Sequence, residues 1–304
     1  MISALSGFAV IGVIVLVGWV AGRWARLPAD TQTVAGRLAY TVLSPCLLFS
    51  GAADSDPRAL FTQALIVSTA AALLCFGLHT LTTRHRDPGT RIVGALAAGY
   101  TNATFIGIPV ATYVLHDTAL VVPIVMLQLL IITPVALTLL QFVATGHTSW
   151  RTSLTAPLRS PLTVAVALGV LLAVTGLELP TVIAEPISAI GQAAVPVVLL
   201  VFGMSLSGLR VLAPGPDRLP TVAAVVLKTT IMPALAFLLA LALRLTPTQM
   251  YAVTVLAALP TAQNIFLYAQ SFGTALILAR DAIFLSTLAC VPVLLVIAVL
   301  HTLT

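Results

Sequence analysis

The chain has 304 residues, 60% of them hydrophobic and 8% charged, with 14 basic and 9 acidic side chains and a net charge of +5. Apolar runs of about twenty residues, the length that crosses a hydrocarbon core of roughly 30 Å, recur from end to end and leave no polar segment long enough for a soluble domain. The basic residues are single arginines without interleaved aromatics, which excludes nucleic acid as a partner, and three cysteines without ligand spacing exclude a disulfide framework or a zinc site.

In chain order, apolar windows between polar punctuation predict ten spans, at 5–22, 33–53, 60–81, 92–114, 119–143, 160–177, 183–207, 219–243, 249–271 and 277–302. The first run is followed, not preceded, by Arg23 and Arg26, the reverse of a cleavable signal peptide, so it is expected to remain as a span. Eleven basic residues are assigned to the side reached after odd-numbered spans: Arg23, Arg26, Arg37, Arg84, Arg86, Arg91, Arg151, Arg159, Arg210, Arg218 and Arg280. Only Arg58 and Arg244 fall on the other side. The positive-inside rule then puts those odd loops in the cytoplasm and both termini outside, in a multi-pass protein of the plasma (inner) membrane.

The order of features repeats. Leu27-Pro28 returns as Leu179-Pro180, the stretch around Pro45 returns around Pro196, Gln128 precedes Pro134 as Ser286 precedes Pro292, and "LAA" at 96–98 returns at 256–258. Five spans per copy is an odd number, so the second copy enters from the opposite side. The expected architecture is all-α: ten transmembrane helices in two inverted five-helix repeats, 1–143 and 160–304, joined by a cytoplasmic connection at 144–159 within one membrane domain.

In this register "AAGYTNATFIGIPVATY" of the fourth span pairs with "LAALPTAQNIFLYAQ" of the ninth. Pro109 and Pro260 each remove a backbone donor and clash with a carbonyl one turn back, and Gly107 weakens the first helix further. Paired interruptions in corresponding spans point to a transporter's substrate site, where half-helix N-termini suit an anion and C-terminal carbonyls a cation. Thr101, Asn102 and Thr104 on one side, with Thr261, Gln263 and Asn264 on the other, offer donors and acceptors fitted to a carboxylate. The plainer alternative is that Pro and Gly are common in membrane helices and that Thr and Asn bond across helix interfaces to hold a bundle together.

Lys228 lies about 12 Å along the eighth span from Pro220, where an ammonium needs a partner or water. It is read either as an anion partner or coupling charge, or as a side chain snorkelling to the interface. Tyr268 is included as a substrate contact. Gln128 and Gln192 are read as cavity-lining or, better, as interhelical bonds, Gly18 and Gly22 as a close-packing GxxxG, and the cysteines as packing residues. Asp117 and Asp281 are expected to be solvated at loop edges, and His79 and His85 to lie near the basic loop.

"GYTNATFIGIPVA" resembles the signature of the auxin efflux carrier family, and "LAALPTAQNIFLYAQSFG" with "AIFLSTLACVPVLLVIAVL" resembles that family's ninth and tenth spans. The resemblance covers essentially the whole chain. It implies crossed, broken fourth and ninth helices at a central site, with Asn102, Gly107, Pro109, Pro260 and Asn264 in the crossover, a scaffold and a mobile transport unit, and a homodimer. Plant carriers of auxin have Asn-Pro-Asn crossovers and a long hydrophilic loop between halves. Here the ninth span has "PTAQN" and the connection is short, as in compact bacterial relatives associated with organic acids such as malate and malonate. The expected function is thus a secondary transporter of a small carboxylate by alternating access, without a cofactor, with the bilayer and a coupling ion, proton or sodium, as its other partners.

Two other readings compete. A bile-acid/sodium symporter relative shares the ten spans but needs acidic groups at the crossover, and no Asp or Glu occurs in 88–116 or 249–280. A non-transporting signalling or scaffold protein is the alternative of another class. An intramembrane enzyme would need carboxylates, a Ser/His set or metal ligands at depth, whereas all nine acidic residues are in or beside loops.

Overall fold

In hydrocarbon each backbone N–H and C=O must find its partner within the protein, so the apolar runs become helices. A computed structural model describes residues 2–28, 30–54, 63–107, 110–115, 120–145, 161–206, 211–212 and 215–303. The helices are α1 (Ile2–Trp24), α2 (Thr31–Ala53), α3 (Gln63–Thr82), α4 (Pro88–Gly99), α5 (122–145), α6 (Pro161–Thr175), α7 (Thr181–Met204), α8 (Arg218–Ala242), α9 (Pro247–Ala258), α10 (Asn264–Phe272) and α11 (Leu276–Leu303). Two short π-helical pieces, Ala103–Gly107 and Ala111–Leu115, follow α4.

Helix occupies every expected window. By length and apolarity, however, five of the described helices are able to cross a membrane on their own: Thr31–Ala53, Gln63–Thr82, Thr181–Met204, Arg218–Ala242 and Leu276–His301. The fourth and ninth windows are split, and the other apolar helices, Gly12–Trp24, Thr133–Ala144 and Val164–Thr175, are shorter. The connection expected at 144–159 lies outside the described residues apart from Ala144 and Thr145, which extend α5. Arg37, Arg91 and Arg280 prove to be helical, in α2, α4 and α11, rather than in loops.

Three prolines inside these helices leave the same mark, whereas Pro186 of α7 and Pro292 of α11 have no such turn before them. Pro45, Pro134 and Pro233 each lie two residues past a π turn, at Ala39–Leu43, Gln128–Ile132 and Leu227–Ile231. A proline ring collides with the carbonyl four residues back, and widening the preceding turn to i→i−5 bonding moves that carbonyl aside without ending the helix.

The helices pack in pairs that exchange when the halves of the chain are exchanged: α1 on α7 and α6 on α2, α3 on α4 and α8 on α9, with α3 against α8 at the middle. Two glycines show this at atomic detail. A Cβ on Gly18 would collide with the carbonyl of Leu200, and a Cβ on Gly169 with the carbonyl of Phe49. Both members of the second contact are displaced by 151 residues from those of the first, so one close helix approach is made twice. Outward faces carry exposed apolar side chains, among them Leu16, Leu73, Val182 and Leu288. That is the surface a bilayer requires.

Candidate functional site

α9 begins with a capping box in which Thr246 and Gln249 bond reciprocally, and it ends where Pro260 forces its predecessor out of helical geometry, with Leu259 at φ −58° and ψ 149°. α4 begins at Asp87, whose carboxylate accepts from the Thr90 N–H at 2.8 Å, and ends at Tyr100, φ −83° and ψ 109°. The two extended stretches cross antiparallel at Thr101 and Thr261. Asn102 N donates to the Pro260 carbonyl at 2.8 Å, and Ala262 N to the Tyr100 carbonyl at 3.1 Å. Irregular backbone deep in the protein is tolerated because each arm satisfies the other.

A break falls at Tyr100–Asn102, ahead of the expected Gly107 and Pro109. Gly107 is inside the π-helical piece, its N–H bonded to the Asn102 carbonyl at 2.9 Å, and Pro109 lies outside the described residues. Gly107 lacks the proline's obstruction and is weak only in propensity, which a wide turn absorbs.

Each truncated helix has one of its last carbonyls capped by a side chain from another segment, that of α4 from the second half of the chain and that of α9 from the neighbouring α8. The Thr261 hydroxyl donates to the Ala97 carbonyl of α4 at 2.6 Å, and the Lys228 ammonium donates to the Ala257 carbonyl of α9 at 2.7 Å, with Met232 Sδ 3.2 Å away. Ala97 and Ala257 are equivalent members of the repeated "LAA". Lys228 is fully buried, so it does not snorkel. A cation at a helix C-terminus opposes the macrodipole and supplies the donor that the unpaired carbonyl lacks. Cys75 and Cys290 flank this lysine; Cys75 Sγ reaches the Leu227 carbonyl at 3.8 Å, so this thiol does more than fill space.

Beside the crossing, hydroxyls form a chain from Tyr100 to Thr133 at 2.9 Å and from Thr133 to Tyr268 at 3.3 Å, with the Asn264 side chain near the Tyr100 hydroxyl. The Thr261 N–H is taken by Ser286 Oγ at 3.0 Å. Thr101, Asn102, Thr261, Gln263 and Tyr268 are buried, while Thr104 and Asn264 are partly exposed. Gln263 Oε1 and Ser68 Oγ are buried without a hydrogen-bond partner among the described residues. Thr101, Ser68, Gln128 and Met232 line a cavity of about 20 Å³, room for about one water. That cavity admits nothing larger in this conformation.

Thr101, Asn102, Pro260, Thr261, Gln263, Asn264, Tyr268 and Lys228, all expected from the sequence, lie at or beside the crossing, and Tyr100, Thr133, Ser68 and Cys75, which were not, join them there. Tyr100 was visible as the only aromatic between the small residues of "AAGYTNA"; Thr133 and Cys75 carry no local signal. Three expectations outside the crossing are corrected. Gln192 is exposed and bonds Ser188 on its own helix at 3.4 Å. His79 is fully buried, with Nε2 on the Pro220 carbonyl at 3.1 Å, which joins α3 to α8. Asp281 is buried, held by Arg280 Nε at 2.7 Å, and accepts the Leu212 N–H at 2.9 Å. Pairing with adjacent Arg280 makes that burial tolerable. Asp117 lies outside the described residues.

A family model described as membrane transport protein, the domain of the auxin efflux carriers, matches residues 5–298. The chain belongs to the auxin efflux carrier family. Its members are membrane transporters and not enzymes, and the helical, apolar-surfaced architecture agrees with that. No curated protein matches the chain.

Proposed function

We propose that this carrier moves a small organic anion, a carboxylate, across the membrane by alternating access around the Thr101–Thr261 crossing. The observation that carries the reading is the antiparallel meeting of two broken helices from the two halves of the chain, each end-capped by a side chain of another segment. Such a joint has few covalent constraints and exchangeable hydrogen bonds. The pairwise packing and the duplicated Gly18 and Gly169 contacts support two inverted five-helix repeats as its framework. Exchange of roles between similar halves is what opening to alternate sides requires.

The anion assignment rests on charge. Lys228 is the one cation buried at the crossing among the described residues, no acidic residue occurs in 88–116 or 249–280, and α10 begins beside it at Asn264 with its N–H groups free of a side-chain cap. A carboxylate entering here meets a partial positive helix end, Asn102, Gln263 and Asn264 as donors, and the ammonium within reach of rearrangement. The 20 Å³ cavity requires the arms to part before it enters. A proton or sodium supplies the coupling, and both chain ends face outward as the arginine distribution predicts. The carrier works as a homodimer.

A thermal-shift screen of mono- and dicarboxylates against amines and sugars, with and without sodium and at two pH values, tests the substrate class, because a ligand selective for the folded state raises its apparent stability. Carboxylates are expected to stabilise selectively. Stabilisation by amines or sugars with carboxylates inert would overturn the anion assignment, and cysteine labelling that places residue 2 in the cytoplasm would reverse the topology.

A further inference from the structure

A groove of about 800 Å³ runs between α3, α4 and α5, separated from the small cavity at the crossing by Ile132, which borders both. Its walls are aliphatic and aromatic, including Phe76, Ala95, Leu96, Ile132 and Phe142. At one end stands Arg91, in the first turns of α4, its Nε buried with no hydrogen-bond partner among the described residues. The nearest acid in sequence, Asp87, is engaged with the Thr90 N–H. The hydroxyl of Thr80, also in the wall, is turned back to its own helix at 2.8 Å from the Phe76 carbonyl.

We infer that this groove is a binding site for one anionic phospholipid, with an acyl chain against the apolar walls and the phosphate on Arg91. Three features select that occupant. First, the α5 wall extends from Ile131 to Val143, about 18 Å at 1.5 Å per residue, close to half of a roughly 30 Å hydrocarbon core, so the groove fits one leaflet. Second, the rim residues Leu73, Ile131, Val135 and Leu139 are 47–57% exposed and all aliphatic, so the groove opens sideways onto an apolar outer face suited to the bilayer. Third, the cation lies at the end joined to the 83–87 connection, which carries Arg84 and Arg86 and which the arginine distribution assigns to the cytoplasm, where anionic headgroups concentrate. A guanidinium whose Nε has no partner among the described residues, at the mouth of an apolar slot, favours a phosphate of net negative charge over one whose own headgroup cation already neutralises it.

The test uses the full chain in detergent, titrated with phosphatidylglycerol or phosphatidylcholine of equal chain length and read by native mass spectrometry. The wild type is expected to hold phosphatidylglycerol about tenfold more tightly, the ratio that one charge-assisted contact confers. Arg91→Gln should erase the preference while leaving chain binding, Arg91→Lys should keep part of it, and Val135→Trp, which fills the slot from its exposed rim, should weaken both lipids. Phosphatidylglycerol preference surviving Arg91→Gln, or binding indifferent to Val135→Trp, overturns the assignment. So does cross-linking between copies through Val135→Cys with lipid excluded, which gives the groove to a second copy, or displacement by a water-soluble dicarboxylate, which makes it a substrate path.

Discussion

The two arms of the crossing look alike and arise differently. In the second arm the break is written locally: Pro260 drives Leu259 to ψ 149°, and α9 would end there in isolation. In the first arm Tyr100 reaches ψ 109° with no proline beside it; the helix stops because Asn102 and Tyr100 are paired with Pro260 and Ala262 and because Thr261 takes the Ala97 carbonyl. One arm is a template and the other is shaped on it. The caps differ as well. A neutral hydroxyl closes α4, and an ammonium closes α9, so nearly identical backbone joints differ by a full charge.

The charge difference gives the largest expected effect. Lys228→Met keeps the apolar stem and deletes the ammonium; anion transport should fall by about 100-fold, close to 3 kcal/mol, while Lys228→Arg retains more. Thermal stability of the Met variant should hold, because burying an ammonium without a carboxylate partner carries a desolvation cost that its removal relieves. Uptake into liposomes and melting of the same preparations check both halves. Equal transport by the Met variant would reduce Lys228 to a structural cap.

Next in size is the contrast between the paired threonines. Thr261→Val strands the Ala97 carbonyl and should destabilise by about 1–3 kcal/mol, whereas Thr101→Val, whose side chain borders the small cavity, should cost under about 0.5 kcal/mol. Denaturation in matched detergent measures the pair. Equal losses would mean that the arms are not distinguished as described.

Asn102→Ala and Asn264→Ala should each weaken carboxylate binding by about tenfold, with membrane insertion intact, since each amide lies beside a free half-helix end. Wild-type affinity in both would assign these residues to packing. The smallest effect is expected from Pro260→Ala, about 1 kcal/mol or less in stability. The Pro260 carbonyl still accepts from Asn102, so the crossing holds the break after the local cause is removed. A loss above about 3 kcal/mol would show that the proline, and not the pairing, maintains both arms.

Part of the site was legible because its signals are local. Pro260, the amides around it and the repeated "LAA" place the ninth-span break and its partner within a few residues. The break at Tyr100 was not legible, since Gly107 and Pro109 are the visible weak points of that span and nothing at Tyr100 announces an ending. Lys228 was legible as a buried charge but not as a cap, because its acceptor is a carbonyl, a group every residue carries. His79 and Asp281 were assigned to loop edges for the same reason: a backbone carbonyl and a neighbouring arginine made their burial tolerable.

Membrane residence, the windows of helix and the candidate crossover follow from the sequence alone, since hydrocarbon imposes one rule on every residue: apolar side chains outside and backbone bonds closed within the helix. That the carbonyls of Ala97 and Ala257 are left open, and that Thr261 and Lys228 close them, was decided only when separate segments of the chain met. Those bonds join residues 164 and 29 positions apart. No local preference encodes an acceptor that becomes unpaired only when another segment has already broken its helix.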